Sequence, residues 1–221
     1  MSGDPHPYLS WLVRVSPHFE QGERWRQAQE DYARTWVFVG PPPHRGLAAT
    51  VPGLACPTVD RRAGTTDDGV TAAFTTYLGV SGGYYQARDG VLFPDSKVRL
   101  ADVADSTGNT VMLGERPPSP DNHFGWWYAG QGQSFDAAAD FLLPAVEGNR
   151  TFRAPTCPRG PHRFGPGRDD DQCDQFHFWS HHPGGANFAF ADGAVRLLRY
   201  AAADRLPALA TRAGGEVAAA D

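Results

Sequence analysis

The clearest alternation of apolar and polar positions lies near the C-terminal end, in His181-His182-Pro183-Gly184-Gly185-Ala186-Asn187-Phe188-Ala189-Phe190-Ala191-Asp192-Gly193-Ala194-Val195-Arg196-Leu197-Leu198. Phe188 and Phe190 predict one face of a strand, and Val195 and Leu197 one face of the next. This is the period-two pattern of a half-buried antiparallel pair. Asp192-Gly193 between them predicts a two-residue type I′ turn, whose central positions both need positive φ. Ala189, Ala191 and Ala194 imply close packing on the opposite face. Pro183-Gly184-Gly185 predicts a chain reversal that delivers His182 to the start of the first strand.

Elsewhere the pattern is weaker. Leu12, Val15 and Phe19 follow helical spacing, as do Trp25, Ala28, Tyr32 and Trp36, and Pro17 predicts a break between them. Residues 61–69 and 82–90 read as loops, the second presenting Tyr84 and Tyr85. Asp105-Ser106-Thr107-Gly108-Asn109-Thr110 predicts a short helical turn and a reversal, fixed by the side chains of Asp105 and Asn109, followed by a strand over 110–113. Phe124-Gly125-Trp126-Trp127-Tyr128 and Phe176-His177-Phe178-Trp179-Ser180 read as strands. Residues 137–146 read as a short helix ended by Pro144. Asp204 is the expected cap of a last helix, with Pro207 in its first turn and Gly214 or Gly215 as its stop.

The composition fits a globular protein of 221 residues with 41% hydrophobic and 20% charged residues. Twenty-five glycines and 19 prolines point to many turns and few regular elements. The net charge of −5 argues against a nucleic-acid partner. The three cysteines admit a Cys157–Cys173 bridge that leaves Cys56 over, three reduced thiols, or another pairing. The first is expected of an exported chain and would stabilise it by roughly 3 kcal/mol.

Candidate chemistry is sparse. There is no phosphate loop, dinucleotide fingerprint, nucleophile elbow or Cys/His nucleophile pattern. His177, His181, His182 and Asp192, with Glu115 near by, carry suitable zinc donors, but their spacing matches no metallohydrolase helix. A structural role for His182 and Asp192 is the simpler reading, and no metal is assigned. Glu115 reads either as a catalytic or ligating carboxylate or as a strand-end carboxylate paired with an arginine. Trp126, Trp127 and Tyr128 read as a sheet face or as a carbohydrate-stacking platform. Asp169-Asp170-Asp171 reads as a solvated loop tip, with a calcium site as the alternative.

HPGGANFAFADGAVRLL, in which His182 precedes Asp192-Gly193 with nine residues between, resembles the C-terminal signature of a large bacterial family of pilin-like proteins of unknown function. This is domain-of-unknown-function family 1559, whose members are often described as prepilin-type processing-associated. Its matched positions here are His182, Gly184, Gly185, Asn187, Asp192 and Gly193. A second block, DSTGNTVMLGE, resembles the family's usual IxDGTSNTIMVGE and includes Asp105, Asn109, Thr110 and Glu115. SWLVRVSPHFEQ, Leu54-Ala55-Cys56-Pro57 and Thr76-Tyr77-Leu78-Gly79 resemble further family segments, the second of them a short strand ending in Cys-Pro. The resemblance implies a single α+β, pilin-like domain over 1–221. It would comprise a helical region at 1–40 packed on an antiparallel sheet, a sheet with long loops at 41–175, and a C-terminal β-hairpin and short helix at 176–215. It implies a non-enzymatic cell-envelope protein without cofactor, partnered by other pilin-like subunits or a secretion apparatus. An extracytoplasmic glycan- or protein-binding module and a metal-dependent hydrolase are the alternatives. Met1-Ser2-Gly3-Asp4 is polar, and the chain lacks the basic leader and apolar anchor helix typical of relatives. Membrane contact is therefore expected only through such an N-terminal anchor, and the chain as given is expected to be soluble.

Overall fold

The computed structural model describes residues 4–215, and within them the N-terminal pattern folds as two helices parted at Pro17. α1 (Trp11–Val15) is capped by Ser10, whose hydroxyl oxygen accepts the Val13 N–H. A 3₁₀ turn, Ser16–Phe19, leads into α2 (Gly22–Arg34). α1 buries Leu12 and Val13, while Val15 in its last position is exposed. α2 buries Ala28 and Tyr32 but ends at Arg34, so Trp36 is left 60% exposed.

The strands follow. β1 (Ala63–Thr65) and β2 (Thr71–Ala73) form a small antiparallel ribbon. Residues 61–69 are thus not merely loop: the Thr66 N–H bonds to the Val70 carbonyl and closes a tight turn. β3 (Tyr77–Val80), β4 (Val111–Glu115), β5 (Leu142–Leu143), β8 (Gly185–Phe190) and β9 (Val195–Arg199) build the main sheet in the order β5-β3-β4-β8-β9. β6 (Val146–Glu147) and β7 (His162–Arg163) pair separately. The pairings between these strands are antiparallel except β3 with β5. The two family-like blocks are therefore neighbours, because β4 and β8 lie side by side at the centre. The protein is α+β, with a C-terminal hairpin as expected.

The hairpin turn differs from the expected type. Its connection is three residues, Ala191-Asp192-Gly193: the Phe190 N–H bonds to the Ala194 carbonyl and the Gly193 N–H to the Phe190 carbonyl. Gly193 alone of the three takes positive φ, 87°, giving a type I turn closed by a left-handed residue. The extra residue slips the register by one and flips the second strand. Phe188 then faces Arg196, and Ala186 faces Leu198. Leu198 is buried, whereas Val195 and Leu197 stand 67% and 44% exposed, on the open face with Asn187 and Ala189.

One face of the main sheet carries Leu78, Val80, Val111, Leu143, Phe188 and Phe190 under Leu206, Leu209 and Ala210. The first two of these cover residues belong to α3 (Leu206–Leu209). A second core joins the N-terminal helices to Ala72, Ala73, Phe74, Trp126 and Trp127, reaching the sheet edge at Leu142. Four local expectations fail. Residues 137–146 are not helical, because Ala137 and Ala139 take positive φ of 60° and 70° in a tight turn before β5. Residues 124–128 form one isolated bridge, Trp126 with Phe74, rather than a strand, with Gly125 at φ of 105°. Residues 176–180 start at the end of a 3₁₀ turn, Gln172–Phe176, and form no strand, reaching the sheet through the Trp179 N–H to the Glu115 carbonyl and the Ser180 hydroxyl to the Gly185 carbonyl. The last helical stretch begins as a 3₁₀ segment at Tyr200, ahead of Asp204, and ends at Leu209, so neither the expected cap nor the glycine stop bounds it.

Candidate functional site

The signature histidine, the end of β4 and the Cys-Pro segment meet at one point. Thr76, just before β3, bonds to the loop both ways: its N–H donates to the Leu54 carbonyl, and its hydroxyl oxygen accepts the Cys56 N–H at 2.6 Å. That clamp sets the Cys56 thiol against His182. The Cys56 Sγ lies 3.5 Å from His182 Nε2, and Glu115 Oε1 lies 3.2 Å from the same nitrogen. Cys56 and Glu115 are 5% and 2% exposed, and the His182 side chain, 28% exposed, forms the rim. The other Glu115 oxygen, Oε2, accepts the Asn187 N–H at 2.6 Å, which fixes the carboxylate across the β4–β8 pair. The expected arginine partner of Glu115 is not there. Arg116 is wholly buried and turns its guanidinium to the Pro117 and Ala139 carbonyls. Tyr77 faces Glu115 across the β3–β4 pair. Burial, with Cys56 and Glu115 beside it, pushes its pKa up to about 12.

Of the other histidine-cluster candidates, none joins this point. His177 pairs with Asp174 at 2.8 Å, and His181 with Asp169 at 2.8 Å. Asp192 holds the hairpin turn: its Oδ1 accepts the Ala194 N–H, and its Oδ2 lies 3.4 Å from Arg196. Sequence reasoning missed Cys56 and Tyr77 as members of the site. Their signal was the resemblance of the Cys-Pro and Thr-Tyr-Leu-Gly segments, which were read one at a time.

The remaining signature positions serve the backbone. Gly184 has φ of 77° in the reversal. At Gly185 a Cβ would stand 2.2 Å from the Leu198 carbonyl oxygen. Ser180 closes the reversal, donating to the Gly185 carbonyl and accepting the His182 N–H. In the second block the turn is closed by the Asn109 N–H and the Thr110 hydroxyl, both donating to the Ser106 carbonyl. Asp105 does not bond within that turn. It reaches across to the C-terminal segment and accepts from the Thr211 hydroxyl and the N–H groups of Gly214 and Gly215.

Trp126, Trp127 and Tyr128 are 8%, 0% and 1% exposed, with the Trp127 indole N–H donating to the Ala49 carbonyl. Their faces are core, so they offer no stacking platform. Asp169, Asp170 and Asp171 diverge rather than converge, engaging His181, Arg168 and the Cys173 N–H respectively. Cys157 and Cys173 form a disulfide, with Cα atoms 5.4 Å apart, and Cys56 is free and buried.

A second polar locus is a cleft of about 230 Å³ lined by Ser81, Arg88, Asp136, Glu147 and Arg150 among others. Arg150 bonds to both Asp136, at 2.5 Å, and Glu147, at 3.2 Å. Burial nevertheless raises the Glu147 pKa to about 7.

A family model described as a protein of unknown function, DUF1559, matches residues 1–205. No curated protein and no solved structure matches the chain. No helix among the described residues is long and apolar enough to cross a membrane.

Proposed function

From the premise that the chain belongs to the DUF1559 family of proteins of unknown function, we propose that it is a non-enzymatic, pilin-like or pseudopilin-like domain of the cell envelope. It would be a component of, or accessory to, a type IV pilus or type II secretion-like system. The observation that carries this reading is the Cys157–Cys173 disulfide, a bond that persists in exported proteins and is rare in the cytosol. Two further features support it. Of the signature side chains, Asp192 accepts the Ala194 N–H and so holds the hairpin turn, which suits a folding role better than a catalytic one. β9 is an edge strand with Val195 and Leu197 exposed, and such an edge is suited to pairing with another subunit.

Fractionation of the native cells, combined with in-cell cross-linking, tests the reading. It predicts recovery with the envelope and cross-links to pilin-like subunits. Recovery with the cytosol, without such cross-links, overturns it.

A further inference from the structure

We propose that Cys56, Glu115 and His182 form a binding site for one zinc-class divalent ion, with the fourth position open to water beside His182. The donor atoms converge, although Cys56 Sγ also lies 3.1 Å from the Thr58 hydroxyl oxygen. Cys56 Sγ, Glu115 Oε1 and His182 Nε2 all lie within 4.8 Å of one another. In a nucleophilic triad the carboxylate takes the ring nitrogen opposite the one that serves the nucleophile. Here thiol and carboxylate crowd the same Nε2, at 3.5 and 3.2 Å. One hydrogen on that nitrogen serves one of them well, whereas one cation serves all three.

Two of the three separations, sulfur to nitrogen and nitrogen to oxygen, are those of a metal site. Tetrahedral zinc, with bonds of about 2.3 Å to sulfur, about 2.05 Å to nitrogen and about 2.1 Å to oxygen, puts sulfur and nitrogen about 3.6 Å apart and nitrogen and oxygen about 3.4 Å apart. Charge matches as well. A thiolate, a carboxylate and a neutral imidazole offset a divalent cation without leaving net charge in a site whose thiol and carboxylate are buried. The Asn187 N–H on Glu115 Oε2 supplies an outer-shell bond that leaves Oε1 free to ligate.

The exposed group of Asp67, Asp68 and His123 does not compete as a site. Arg153 already holds His123 Nε2 at 2.7 Å and reaches Asp68 at 3.5 Å.

The test is a cobalt(II) titration of the chelator-treated, folded protein with its disulfide intact. Cys56 is then the lone free thiol, so any thiolate-to-cobalt charge-transfer band belongs to it. The proposal predicts that band together with the intense visible bands of tetrahedral cobalt, saturating at one ion per chain and displaced by zinc. Cys56→Ser should abolish the charge-transfer band. His182→Ala should weaken binding by at least about 10-fold. Asp67→Asn with Asp68→Asn should leave the titration unchanged. Near-ultraviolet circular dichroism of each variant separates lost ligation from lost folding. No charge-transfer band in the natively folded wild type, or a band that survives Cys56→Ser, overturns the site.

Discussion

At the scale of single residues, Gly193 and Gly114 are fixed for different reasons, and substitution separates them. Gly193 has open space around it and φ of 87°, so alanine meets only backbone strain. Gly193→Ala should cost about 1 kcal/mol. Gly114 has no such φ, but a Cβ there would stand 2.5 Å from Phe188 and 2.7 Å from Phe178. Gly114→Ala should therefore cost more, about 3 kcal/mol, by forcing the core apart. Urea unfolding of the two variants checks the order, and equal losses would contradict it.

Glu147 carries a pH dependence. Its folded pKa, about 7, lies above the ordinary glutamate value of 4.5. Between those pH values the folded state holds a proton that the unfolded chain has lost, so this group makes stability fall as pH rises from about 4.5 to about 7. Glu147→Gln mimics the protonated form. It should gain on the wild type by up to about 3 kcal/mol across that window, measured as unfolding free energy at pH 5 and pH 8.

At the scale of elements, the hairpin shows what sequence pattern reveals and what it leaves open. Alternation and Asp192-Gly193 located both strands of the hairpin. They did not set its register, because the same sequence admits a two-residue connection, Asp192-Gly193, and a three-residue one that also takes in Ala191 and leaves Asp192 at negative φ. That one difference moved Val195 and Leu197 to solvent and Leu198 to the core. Residues 137–146 failed similarly: alanines that favour helix elsewhere are held at positive φ, and the Arg116 guanidinium binds the Ala139 carbonyl. Tertiary contact overrode propensity there. The disulfide is also an element-scale device, closing a loop with a sequence separation of 16 that contains β7 and ends in the first turn of the 3₁₀ segment Gln172–Phe176. Replacing Cys157 and Cys173 by alanine together should lower stability by roughly 3 kcal/mol. Unchanged unfolding would mean that the surrounding hydrogen bonds, such as Asn149 to the Cys157 carbonyl, suffice.

Over the whole molecule, the two family-like blocks meet as β4 and β8, and a third family-like segment brings Cys56 to their junction. The sequence made Glu115 and His182 legible as separate candidates. Their meeting with Cys56 was not, since Cys56 and His182 stand 126 positions apart and only the paired strands bring them together. The molecule that results has a central sheet tied by its signature and a distal loop tied by its disulfide. The redox state of the three cysteines in native protein, read by differential alkylation and mass spectrometry directly from cells, tests the envelope account most directly. The account predicts Cys157 and Cys173 oxidised to each other, with Cys56 a free thiol. Cys157 and Cys173 both recovered as reduced thiols would contradict it.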